Sequence, residues 1–339
     1  MLDKRQAITG ILIWVLVFGA FVTLAGVDEF VEKLSAISWA EGVLIFSAVG
    51  VGVVAMGSTL YVLGRSVGLG FSLIESIFLN TTVSLAHNLT PFGQAGGAPI
   101  GAAILSRHTD RSFEECLATL SAKDVVSFVP AILVFTIGGP YFALFGRSIP
   151  AELRPVFAIF TLVVFLVCGT VFMIYRYPER TRGILHRLAD ALNRGLDRLP
   201  YVPSIDEDDV EERLDNFADS LGGIAADRPA VVLASALATT SFLAQGCLLW
   251  ITLGAVGVEV PIALAIFTVP VSLLASGLPL PGGTGGVESV QVLVIVAVAG
   301  ANPSWTLTAV VLSRGLVYWT PIVLGSLSLV GFQIREHRA

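Results

Sequence analysis

Of the twenty lysine and arginine residues in the chain, two, Lys123 and Arg314, fall inside stretches whose apolar character predicts membrane spans. A cation at bilayer depth costs at least about 2.5 kcal/mol on insertion scales, so each requires an anionic partner or ligand. Two carboxylates stand close in the pattern. Glu288 closes a proline and glycine cluster, and Asp124 follows Lys123 directly, although neighbours in a helix do not face each other. Two cations facing one cavity suit an anionic group with several oxygens, such as a phosphate, through charge-assisted hydrogen bonds. A carboxylate at that depth can exchange a proton, so Glu288 or Asp124 could also couple binding to a proton gradient.

Each cation is preceded by a segment that breaks a helix. In the first half, Pro91-Phe-Gly93-Gln94-Ala-Gly96-Gly97-Ala98 is followed at some distance by Lys123 and then, two helical turns on, by Pro130. In the second, Pro279 leads into Pro281-Gly282-Gly283-Thr284-Gly285-Gly286-Val287-Glu288, and Arg314 and Pro321 follow at nearly the same spacing. Proline and glycine interrupt the hydrogen-bond ladder and expose backbone N–H groups at the next helix start, where the dipole also favours anions. Such backbone is tolerated in a membrane only where protein encloses it or where it lines a watery cavity. The candidate binding residues are therefore Lys123, Arg314, Glu288, Gln94 and Asp124. Their scaffold is Pro91, Gly93, Gly96, Gly97, Pro279, Pro281, Gly282, Gly283, Gly285 and Gly286. A plainer alternative stays open, in which Glu288 only neutralises Arg314 and the glycines only permit close helix packing.

Composition decides what must position these residues. The chain of 339 residues is 55% apolar and 14% charged, outside the range of soluble domains. Ala7 to Val27, Gly42 to Gly64, Val125 to Gly146, Pro155 to Tyr175 and Gly315 to Ile334 each suffice for the roughly 20 residues of one span. The first is read as a retained helix, being longer than a signal-peptide core. Residues 76–106, 229–258 and 260–287 run too long without charge for one span, so some of them turn inside the membrane. The expected fold is all-α, a polytopic transmembrane bundle forming a single membrane domain over 1–339. Its two inverted-topology halves would each hold a re-entrant hairpin: 1–175 with hairpin 71–106, and 229–339 with hairpin 261–299. Between them, 176–228 is expected to form a cytoplasmic helical loop, basic in its first part and acidic from Asp206. Lysine and arginine counts place both termini in the cytoplasm of a cell's plasma membrane. Cys116, Cys168 and Cys247 lack metal or redox spacing and read as packing residues. The net charge of −6 argues against nucleic acid, and no G-x-x-x-x-G-K-[ST] loop or zinc motif is present, so no cofactor is expected.

Through Pro279-Leu-Pro281-Gly-Gly-Thr-Gly-Gly-Val-Glu288, Leu312-Ser-Arg314 and Pro321, the sequence resembles the lysylphosphatidylglycerol synthase transmembrane-region family, also described as the flippase-like domain. The first-half match, Thr90-Pro-Phe-Gly-Gln-Ala-Gly-Gly97, is looser, and Ala98 stands where the family commonly has an acidic residue. The resemblance implies movement of lipids across the bilayer. Some members fuse this region to a soluble aminoacyl-transfer or glycosyltransferase domain, and no such domain is expected here. The expected function is translocation of an anionic lipid, a phospholipid or a polyprenyl-phosphate carrier, without enzymatic activity. Two alternatives accompany it: a membrane glycosyltransferase using the Asp28-Glu29 pair as a metal site, and a subunit presenting lipid to a separate lipid-modifying enzyme.

Overall fold

A computed structural model describes residues 4–90, 94–134, 136, 154–177, 183, 207–273, 275 and 283–336. Among them twelve α-helices are named: α1 (Lys4–Ala25), α2 (Val27–Ser35), α3 (Trp39–Ser66), α4 (Leu73–Leu89), α5 (Gln94–Thr109), α6 (Phe113–Ser127), α7 (Arg154–Arg176), α8 (Glu207–Ala226), α9 (Arg228–Ala255), α10 (Ile262–Leu273), α11 (Gly286–Ala299) and α12 (Pro303–Glu336). Four of the described helical segments are long and apolar enough to cross a membrane: Trp39–Ser66, Phe113–Val134, Arg228–Ala255 and Pro303–Leu329. In contrast, α4, α5, α10 and α11 have 17, 16, 12 and 14 residues, short of the roughly 20 that a crossing needs.

Serine caps set several helix starts. Ser38, Ser72 and Ser112 each accept the N–H of a glutamate three residues on, and each glutamate reaches back to the serine N–H. These reciprocal bonds satisfy donors that a helix start otherwise leaves unpaired. At their other ends α3 and α9 close alike. Gly68 and Gly257 sit at φ +76° and +88°, and Leu69 N–H and Val258 N–H each donate back to Gly64 O and Leu253 O at 2.8 Å. This closure requires a left-handed residue, which glycine supplies without strain.

The matching closures belong to a wider correspondence. Helices α3 and α9 are both 28 residues long, so each position of one has a counterpart in the other, beginning with Trp39 and Arg228. All seven buried positions of α3, from Ile45 through Gly57 and Leu60 to Gly64, have buried counterparts in α9, from Ala234 through Gly246 and Leu249 to Leu253. A Cβ on Gly57 would lie 2.6 Å from Ile77 Cα, and one on its counterpart Gly246 would lie 2.8 Å from Ile266 Cα. The two isoleucines correspond under the same shift along the chain as the two glycines. Small residues thus let α3 press on α4 and α9 press on α10, the packing that membrane helices depend on in place of a hydrophobic drive. Around each long helix the contacts form the same ring: α3, α4, α5, α6 in the first half and α9, α10, α11, α12 in the second.

The rings meet where α3 crosses α9 and where α4 packs on α12. Ser241 Oγ donates to Gly52 O at 3.1 Å, and these two residues are themselves counterparts, each the fourteenth of its helix. Leu63 near the end of α3 clusters with Ala234 and Ala238 near the start of α9, so the helices run antiparallel. Counterparts that touch each other are the mark of a two-fold relation. Outside the rings, α1 and α2 pack on α12, and α8 lays Leu221 and Ile224 against α3, α6 and α9. Residues 178–182 and 184–206 of the loop, which hold most of its basic part, lie outside the described residues.

Candidate functional site

Glycine and a carboxylate build the start of α11. Gly283 and Gly285 hold left-handed φ of +67° and +90°, and Gly285 N–H donates to Glu288 Oε2 at 2.7 Å. The other oxygen, Oε1, accepts from Arg314 Nε of α12 at 3.2 Å, with Glu288 5% exposed. One carboxylate thus satisfies a helix-start donor and a buried cation together. The neutralising pair is observed, and it sits in the wall of a narrow cleft lined by Phe18 and Phe21 of α1, Thr284, Glu288, Val311, Arg314 and Gly315. Val17 of the same helix lies against Gly285, 3.5 Å from where a Cβ would stand.

Lys123 has a different partner. Its ammonium donates to Asn80 Oδ1 of α4 at 2.9 Å, and Lys123 is 4% exposed. Two turns further along α4, His87 is buried with Nε2 unpartnered among the described residues, pressed against the backbone at Gly97 of α5. Asn88 and Tyr318 of α12 then exchange bonds, Asn88 Nδ2 to Tyr318 O at 3.2 Å and Tyr318 OH to Asn88 O at 3.1 Å. The polar residues of α4 therefore run from Lys123 toward the helix that carries Arg314. The two cations are held by separate groups, Asn80 and Glu288.

Helix caps choose between two registers, one position apart, that the two pairs of prolines leave open. Ser112 accepts Glu115 N–H and Asn302 accepts Trp305 N–H, so the cap of α6 corresponds to the cap of α12. Buried positions counted from these caps agree, with Cys116, Thr119, Leu120 and Lys123 matching Thr306, Ala309, Val310 and Ser313. Asp124, half-buried, therefore matches Arg314, also half-buried, and Lys123 matches Ser313. The same shift along α5 and α11 pairs buried Gly97 with Val287 and Leu105 with Ile295, which sets Ala98 against Glu288. Counting from Pro91 and Pro281 gives this same register, whereas aligning the two cations, or Pro130 with Pro321, moves α12 by one position.

Of the scaffold residues, Gly96 and Gly97 lie in the first turn of α5 and Gly286 opens α11, while Gln94 is the first residue of α5 with a side chain outside the description. Pro91, Gly93, Pro279, Pro281 and Gly282 lie outside the described residues. Sequence reasoning missed Asn80, Phe18, Phe21, Thr284 and the buried bond from Gln291 Nε2 to Ser272 Oγ at 3.2 Å. Asn80, His87 and Asn88 were legible as polar interruptions at helical spacing in an apolar run. The Asp28-Glu29 pair lies in α2, where Glu29 accepts the indole N–H of Trp305 and Lys33 covers the Trp305 ring at 3.6 Å. That carboxylate fastens α2 to the first turn of α12.

Long apolar helices, short paired arms and a buried ion pair at a broken helix start define a polytopic α-helical membrane protein. The profile of the lysylphosphatidylglycerol synthase TM region matches residues 7–325, and the chain belongs to that family. It is similar to two UPF0104 membrane proteins of Methanothermobacter thermautotrophicus. One is 24% identical over 258 residues, 74% of this chain and 71% of the relative. The other is 25% identical over 250 residues, 70% of each.

Proposed function

We propose that this protein carries an anionic lipid headgroup across the bilayer, with Arg314 as its phosphate ligand and no synthase chemistry of its own. The observation that carries the reading is the double engagement of Glu288, which accepts from Gly285 N–H and from Arg314 Nε. These are the two donor types, a helix start and a guanidinium, that recognise a phosphate. Glu288 occupies them as an internal anion. An incoming phosphate exchanges with it, and the displaced carboxylate, alone in a low-dielectric site, supplies the tendency to return. Phe18 and Phe21 close the cleft on the side of α1, so the exchange requires that helix to yield.

The antiparallel crossing of α3 and α9 supports this reading, because two halves of inverted topology would offer the same cavity to each face in turn. The placement is a plasma membrane with both termini in the cytoplasm, and the partners are anionic membrane lipids and, for modified lipids, a separate enzyme that makes them. Reconstituted protein in vesicles of phosphatidylcholine and phosphatidylglycerol, carrying fluorescent phosphatidylglycerol, tests it. Arg314→Ala is expected to abolish movement of the label, and wild-type movement in that variant would sink the assignment. Native lipid retained by the purified protein, identified by mass spectrometry, would name the headgroup.

A further inference from the structure

The two halves carry opposite charges at corresponding points. Arg314 on α12 reaches Glu288 on α11, but the matching point of α6 is Asp124 and the matching point of α5 is Ala98, whose methyl offers no counter-charge. Asp124 makes no hydrogen bond or ion pair among the described residues. Lys123, the charge that acts on it, commits a hydrogen bond to Asn80. The helices around α6 bring little else to it. On α3, Glu41 and Arg65 lie in the first and last turns, on α4 Glu75 lies in the first turn and the buried His87 in the last, and on α5 Arg107 and His108 lie in the last. Arg213 of α8 pairs with Glu114 at the first turn of α6, Asp215 of α8 is half-buried and Asp219 exposed, and α9 holds its charges, Asp227 and Arg228, at its start. A carboxylate left alone at bilayer depth is costly while ionised and is tolerated when protonated or when it faces a watery cavity.

We infer that Asp124 is a coupling-proton site, taking up one proton from one aqueous face and releasing it to the other as the headgroup passes Arg314. The inference rests on the lipid-transport reading above. Only the carboxyl O–H bond forms and breaks, so the cycle returns the protein unchanged. The neutral carboxyl suits the occluded stage of the cycle, and the carboxylate suits a stage open to water. Pseudo-symmetry gives the division of labour: one half holds the anion and the other holds the proton that travels with it.

Vesicles containing fluorescent phosphatidylglycerol, with membrane potential clamped by valinomycin and equal potassium, provide the test. One proton per lipid predicts that a difference of one pH unit biases the label between leaflets about tenfold. Asp124→Asn is expected to remove that bias and Asp124→Glu to keep it. A bias that survives in Asp124→Asn, or one that follows a sodium gradient and ignores pH, overturns the proposal. Should wild-type protein move no label at all, the lipid reading fails, and infrared difference spectra across a pH titration still decide on Asp124. A carboxyl C=O band that Asp124→Asn abolishes supports the site, and its absence from the wild-type protein overturns it.

Discussion

Arg314 Nε stands 3.2 Å from Glu288 Oε1, while the other oxygen of the same carboxylate holds the first turn of α11. Removing one member of a buried pair leaves an uncompensated charge, at a cost of about 3–5 kcal/mol. Arg314→Ala is therefore expected to lower thermal stability in detergent more than the double variant Arg314→Ala/Glu288→Gln. Equal stability of the two would show that the pair is not a thermodynamic unit. Glu288→Gln alone leaves Arg314 without its internal anion, and should increase phosphatidylglycerol retained through purification, measured by mass spectrometry.

Lys123 is buried and donates to Asn80 at 2.9 Å, and in the proposed function the headgroup belongs to Arg314 alone. Replacing both members of a buried polar pair with apolar groups of similar volume is often neutral, whereas removing one strands the other. The double variant Lys123→Met/Asn80→Leu should then fold and retain lipid, and Asn80→Ala alone should destabilise by about 1.5–3 kcal/mol by stranding the ammonium. Lipid lost from the folded double variant would return Lys123 to the headgroup site.

The glycines at corresponding contacts predict corresponding penalties. Alanine at Gly57 or at Gly246 meets backbone within 2.8 Å, so neither site can absorb a methyl by moving a side-chain tip. Each substitution should cost about 1–3 kcal/mol, similar in the two variants, read from denaturation midpoints. A large penalty at one position and none at the other would contradict the matching of α3 to α9.

Trp305 is gripped by Glu29 and Lys33 of α2. Trp305→Phe keeps a ring for the lysine but removes the indole donor, and should lower stability by about 1.5–3 kcal/mol, the range for a hydrogen bond to a charged group. Replacing Asp28 and Glu29 with Asn and Gln should leave any sugar transfer in membranes unchanged. Loss of such transfer would revive the acidic pair as a metal site.

Long apolar runs made Trp39–Ser66 legible as a span, because hydrocarbon thickness imposes a length that composition reveals, but the run 229–258, read as too long for one crossing, is the single helix α9. The short arms were legible too, as charge-free runs too long for one crossing and too polar at their tips for lipid. Register was not. Pro91 with Pro281 and Pro130 with Pro321 imply registers one position apart, whereas caps record where a helix actually begins, and Ser112-x-x-Glu115 and Asn302 decide for the first pair. Asn80 escaped for a different reason: a partner far from Lys123 in the chain meets it only through the packing of α4 on α5 and α5 on α6. Phe18 and Phe21 escaped because nothing in an apolar helix marks which face turns toward a cleft.

Ser241 donates to Gly52, its own counterpart. When two inverted halves trade conformations, every other contact between them passes to its mirror partner, so the interface is rewritten at each stroke. A contact between a residue and its own counterpart has no mirror partner to pass to. If the proposed transport runs by such a motion, that crossing is its fulcrum, and a cross-link placed there should leave lipid movement intact.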